Sequence, residues 1–241
     1  MPKRKGDEMA GSEPANAPRR STRQRKTLES ASESPASEIE AKEEPSKSAG
    51  TEPTAPTAGE SRMSSGRHLT IVEKTGDLFS APANTVLFHA CNCRGHWGHG
   101  IAAVFKKRYP KADKLSNDHC NKINKINKDD LPGTAQLIPP QKGDKDKHFI
   151  GCLFTSKSYG KTKDKPPAIL RNTGTAITDL MRQVVEWNEG RTEGRIKAIW
   201  TCKINSGLFN VPWEETKKVM ERAELPKGDF PLEIVCMSRE E

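Results

Sequence analysis

Apolar positions along the chain recur in two rhythms. Short continuous apolar runs predict buried strands over Leu69–Glu73, Val86–Cys91, Ala135–Pro139, Phe149–Phe154, Ile196–Cys202 and Leu232–Met237. Stretches between them have helical spacing instead. They predict helices over Ile101–Arg108, Lys111–Asn124, Pro166–Glu189 and Trp213–Arg222. The longest carries Ile169, Ile177, Leu180, Met181 and Val184 on one face. Pro212 stands where a helix can begin, because the first turn does not need its N–H. Strands apolar on both faces and alternating with helices predict an α/β domain, layered α/β/α, with a largely parallel sheet.

The first 66 residues have neither rhythm. They contain no Phe, Trp or Tyr and are dense in Ser, Ala, Pro, Glu and Lys. Such a segment cannot bury enough apolar surface to offset its ordering entropy, so a disordered tail is predicted over 1–66. The domain follows over 67–241. Its size suits one hydrophobic core.

Charge divides the tail again. Residues 1–26 hold eight Lys/Arg against three acidic residues, and 27–66 hold three against eight. The halves cancel, so the formal net charge of +8 belongs to the domain. The clusters Lys3-Arg4-Lys5 and Arg19–Lys26 suggest nuclear import or weak nucleic-acid contact; a plain solvated tail is the alternative. No stretch is apolar enough for a membrane span and no secretory leader is evident, so a nuclear or cytoplasmic protein is expected. Six cysteines, most within apolar runs, read as core thiols.

Candidate chemistry sits where strands end. Gly76-Asp77-Leu78-Phe79 follows the first strand, and its Asp could accept from an exocyclic amine or a ribose hydroxyl, or serve as a turn or helix cap. After the second strand, Gly95-His96-Trp97-Gly98-His99-Gly100-Ile101-Ala102 leads into a helix. A glycine loop before a helix aims free backbone N–H groups and a dipole at an anion. No Lys-Ser/Thr pair follows the glycines and the Rossmann spacing is absent, which excludes the common triphosphate and dinucleotide loops. Ile204-Asn205-Ser206-Gly207-Leu208-Phe209 repeats the design after a later strand, so two such loops could clamp a diphosphate. Cys91, Cys93, His96 and His99 are close in sequence, but their spacing departs from ordinary zinc sites, and no metal is expected. Alternation places His89, Cys91 and Cys93 on one face of the strand and Asn92 on the other. From position alone His89 reads as a core residue or a strand-end functional group.

These segments, in this order, resemble the macrodomain family, and within it the fungal ADP-ribose 1''-phosphate phosphatases. Carrying the resemblance are Gly76–Phe79, His89-Ala90-Cys91-Asn92-Cys93, Gly95–Ala102, Arg108-Tyr109-Pro110-Lys111-Ala112, Cys152–Ser156, and Ile204–Phe209 with Val211–Thr216. It covers about 68–237. The resemblance implies a six- or seven-stranded mixed sheet between helices. It implies that Asp77 binds the adenine amine and Asn92 the distal ribose. Gly98, Gly100, Ile101 and Ala102 would line one side of the phosphates, and Ser206, Gly207, Leu208 and Phe209 the other; His99 departs from the family, where many members carry another Gly, and could narrow the phosphate loop or set an imidazole beside the terminal phosphate. His89 would be the catalytic group. Relatives that release ADP-ribose from glutamate use a Lys and an Asp; Phe209 stands at that Asp position, and Lys157 lies near the Lys position. The implied activity is hydrolysis of ADP-ribose 1''-phosphate to ADP-ribose and phosphate, without a cofactor. The alternatives are an ADP-ribose reader without turnover and a hydrolase of ADP-ribosylated proteins.

Overall fold

The computed structural model describes residues 67–239; the tail predicted over 1–66 lies outside them. Six strands form one sheet: β1 (Thr70–Thr75), β2 (Thr85–Asn92), β3 (Ala135–Ile138), β4 (Phe149–Ser156), β5 (Ala198–Thr201) and β6 (Glu233–Ser238). Their order is β1-β6-β5-β2-β4-β3, and every neighbouring pair is parallel except β3 with β4. Four helices accompany them: α1 (Gly100–Arg108), α2 (Pro110–Ile126), α3 (Pro166–Asn188) and α4 (Trp213–Glu221). The sheet is therefore mixed, largely parallel and six-stranded, as the hydrophobic rhythm and the resemblance predicted.

Alternation along the central strands feeds two cores, one on each face. Val86, Phe88, Ile199 and Ile234 pack with Ile177, Leu180 and Met181 of α3 and with Trp213 and Met220 of α4. Leu87, Cys91, Ile150 and Cys152 pack on the other face with Phe105 of α1, Ala112 and Cys120 of α2, and Tyr109 between the two helices. All eight residues of β4 are buried, which is why it reads as a continuous apolar run. The β3 edge is shielded by α3: Asp179 accepts from the Ala135 N–H at 2.8 Å, and Gln183 accepts from the Leu137 N–H at 2.8 Å. These side chains occupy backbone groups that an open edge would offer to another strand.

Five parallel strands share one carboxyl edge, and the chain leaves it through the three segments singled out above and through one more, after β4. The 76–79 turn follows β1, the glycine loop follows β2, residues 157–165 follow β4, and 202–212 follow β5. Among the described residues no helix is long and apolar enough to cross a membrane.

Candidate active site

The loops after β2 and β5 face each other across a cleft of about 770 Å³ at this edge. Asn92, Gly98, His99, Gly100, Ile101 and Ala102 line it from one side, and Ser206, Gly207, Leu208 and Phe209 from the other. The two loops are thus brought together as the sequence predicted. Asp77 lies in an adjoining hollow of about 250 Å³, which shares Ile101 and Lys203 with the cleft.

The first wall is built for an anion. Helix α1 opens at Gly100 behind His99, which gives no side-chain cap, and its first turn carries no acidic residue. Its N-terminal N–H groups therefore keep their hydrogen-bonding capacity for something in the cleft. Lys106, Lys107 and Arg108 occupy the last turn, where positive charge complements the dipole. Gly100 has φ +58°, and a Cβ there would meet only Leu208 Cδ1, at 3.8 Å. That direction is the gap between the loops.

The second wall is held from below by Asn205, a role that sequence reading did not assign to it. This buried residue has φ +63°. Its Oδ1 accepts from Thr155 Oγ1 of β4 at 3.1 Å, and its Nδ2 donates to Thr173 Oγ1 of α3 at 2.9 Å. Its carbonyl accepts from the Val211 N–H at 3.0 Å, closing the loop on itself. The visible signal was an Asn immediately before Ser-Gly, since Asn tolerates the left-handed region better than most residues.

Asn92 lines the cleft, but its amide braces its own loop. Nδ2 donates to the His96 carbonyl at 2.8 Å, and Oδ1 accepts from the Arg94 N–H at 3.1 Å. Asp77 likewise caps the turn behind it, its Oδ1 accepting from the Phe79 N–H at 3.0 Å. Its other oxygen remains at the surface, 3.6 Å from Arg108, whose guanidinium lies over the Phe79 ring. Both residues therefore fulfil the structural role open to them and still face the cleft or its hollow.

His89, which the resemblance implied to be the catalytic group, stands apart from the cleft: the ring has no exposed surface and is not part of the cleft lining. It stacks on Phe105 of α1 (centroids 4.3 Å, planes 17° apart) and meets Trp97 edge-on at 4.6 Å. Cys91 Sγ lies 3.6 Å from its ring nitrogens. Ala90 and Asn92, on the opposite face of β2, are the ones that reach the cleft. The imidazole instead pins the glycine loop, through Trp97, to helix α1. Alternation also separates Cys91 and Cys93, both in the core, from His96 and His99 in the cleft. The four do not converge; the thiols and imidazole that do converge are those of His89, Cys91 and Cys152. Lys157 points away from the cleft to an ion pair with Asp129 at 2.6 Å.

Together the sheet edge and its two glycine loops define an α/β/α domain with a cleft at the carboxyl ends of its parallel strands. The macro domain family model matches residues 88–220, and the chain belongs to that family. It is 47% identical over 183 residues to the ADP-ribose 1''-phosphate phosphatase of Chaetomium globosum, covering 71% of this chain and 97% of that protein. The ADP-ribose 1''-phosphate phosphatase of Neosartorya fischeri is 40% identical over 181 residues, covering 64% of this chain and 90% of its own. Among solved structures, the macrodomain of Thermus aquaticus DarG superposes with a TM-score of 0.52 at 19% identity, over 70% of this chain and 98% of that one. At that identity the likeness concerns the fold.

Proposed function

We propose that this macro domain hydrolyses the 1''-phosphate of ADP-ribose 1''-phosphate, giving ADP-ribose and inorganic phosphate. The observation that carries the reading is the pair of glycine loops facing across one cleft, one of them opening an uncapped helix. Relatives 40% and 47% identical over most of their length bear the name of this activity. The N–H groups of Gly100–Ala102 and Ser206–Phe209 hold the diphosphate. The adenine amine donates to the free oxygen of Asp77 in the adjoining hollow, and the distal ribose lies over Asn92. Water attacks phosphorus, the bond from phosphorus to the anomeric oxygen breaks, and that oxygen leaves with a proton as the hydroxyl of ADP-ribose. Positioning and electrostatic stabilisation account for most of such a reaction. The imidazoles inside the cleft are those of His96 and His99. His89 acts at one remove, as a positioning residue. Phe209 in the cleft and Lys157 outside it speak against the Lys/Asp chemistry of relatives that deribosylate glutamate.

ADP-ribose is the product and fits the same cleft, so it should inhibit phosphate release competitively. Release that is insensitive to saturating ADP-ribose would place the chemistry elsewhere on the molecule.

A further inference from the structure

The cleft has a third wall, supplied by neither glycine loop. The connection between β4 and α3 places Tyr159, Gly160, Lys161 and Lys163 in its lining. This connection is braced at its base. Asp164 accepts from the Lys157 N–H at 2.7 Å, and the Asp164 N–H donates to Ser156 Oγ at 3.0 Å. Tyr159, 47% exposed, stacks on His96 of the first loop with centroids 5.3 Å and planes 25° apart. His96 lies in turn over Gly98, where a Cβ would come within 2.4 Å of its Nε2. Tyr159, His96 and Gly98 therefore join the third wall to the first.

The lysines of this region differ in what they are paired with. Lys157 is held by Asp129, and Lys203 by Glu73 at 3.2 Å. Lys161 and Lys163 have no carboxylate partner among the described residues, although both line the cleft. Along the sheet edge the order is the Asp77 hollow at β1 and β6, the two glycine loops at β5 and β2, and then the lysines at β4. An elongated ligand with its diphosphate between the loops and its base at Asp77 points its far end at the lysines. A terminal phosphomonoester carries close to two charges at neutral pH, more than amides alone neutralise. Free ammonium groups suit it as point charges.

We propose that Lys161 and Lys163, walled by the Tyr159–His96 stack, form the subsite for the terminal phosphomonoester and set the preference for ADP-ribose 1''-phosphate over ADP-ribose. The proposal rests on the function proposed above, and its test separates the two. The KM for ADP-ribose 1''-phosphate and the inhibition constant of ADP-ribose are measured for the full chain and for the Lys161→Ala/Lys163→Ala double variant. The expected result is a KM raised about tenfold to a hundredfold, with ADP-ribose inhibition within twofold of the parent. The Lys161→Arg/Lys163→Arg variant should recover most of the loss. Unchanged KM, or equal losses for both ligands, overturns the subsite. If the parent releases no phosphate, calorimetry with both ligands decides instead. Tighter binding of the phosphorylated ligand that disappears in the double variant supports the subsite without the enzyme, and no preference in the parent overturns it.

Discussion

Gly100 is a residue whose missing side chain has a direct consequence. Its φ of +58° costs any other residue about 1 kcal/mol, and a Cβ there projects between the two loops. Gly100→Ala should weaken ADP-ribose binding moderately, while Gly100→Glu should abolish it by adding bulk and like charge; calorimetry on the folded variants measures both. His89 makes the opposite case. Removing a ring buried between Phe105 and Trp97 leaves a cavity beneath the glycine loop. His89→Ala should cost about 2–4 kcal/mol of stability, and ADP-ribose affinity and turnover should fall together. A loss confined to kcat, with melting temperature and affinity intact, would return His89 to proton transfer. The alternation Leu87-His89-Cys91 already placed this imidazole on an apolar face. What the sequence could not display was Trp97 folding back from the loop to seal it, since that contact depends on the path of a segment without periodicity.

The strands and helices were legible because each buries a face with its own period. The all-buried β4 and the one-sided α3 are the clearest examples. The direction of β3 follows from the short connection through residues 139–148, which is too brief for a crossover and returns the chain antiparallel along β4. The connection between β4 and α3 was passed over; its lysines look like an ordinary solvated run until β4 carries them to the cleft. The loop after β5 shows how elements hold a site. Asn205→Ala would leave the buried Thr155 and Thr173 hydroxyls without this partner, and a loss of about 2 kcal/mol is expected in denaturant unfolding, with weaker ADP-ribose binding. Glu73 on β1 couples the same region to α4. The Trp213 indole and the Lys217 and Lys203 ammoniums pull its carboxyl down from the ordinary 4.5 to about 2. A depressed carboxylate stabilises the fold above the unfolded value, and the gain is lost as pH falls towards 2. Because Glu73 is exposed, screening limits the effect to about 0.5–1 kcal/mol. Glu73→Gln should therefore lower stability at pH 7 and match the parent near pH 2. An equal deficit at both pH values would contradict the ion-pair origin.

Across the molecule, every residue named in the lining of the cleft lies between Ala90 and Phe209. Deleting residues 1–66, which contain no aromatic residue, should leave the melting temperature and turnover close to those of the full chain. Neutralising Arg19–Lys26 should reduce nuclear accumulation if these clusters act in import, and unchanged distribution would favour a solvated tail. Turnover in the macro domain cleft is what separates a phosphatase from an ADP-ribose reader. Its most direct test is inorganic phosphate released from ADP-ribose 1''-phosphate by the purified full chain, with ADP-ribose quantified in the same samples. Equimolar phosphate and ADP-ribose over many turnovers, abolished by Gly100→Glu, is the predicted result. A parent protein that binds ADP-ribose yet releases no phosphate would contradict it and leave a reader of ADP-ribose.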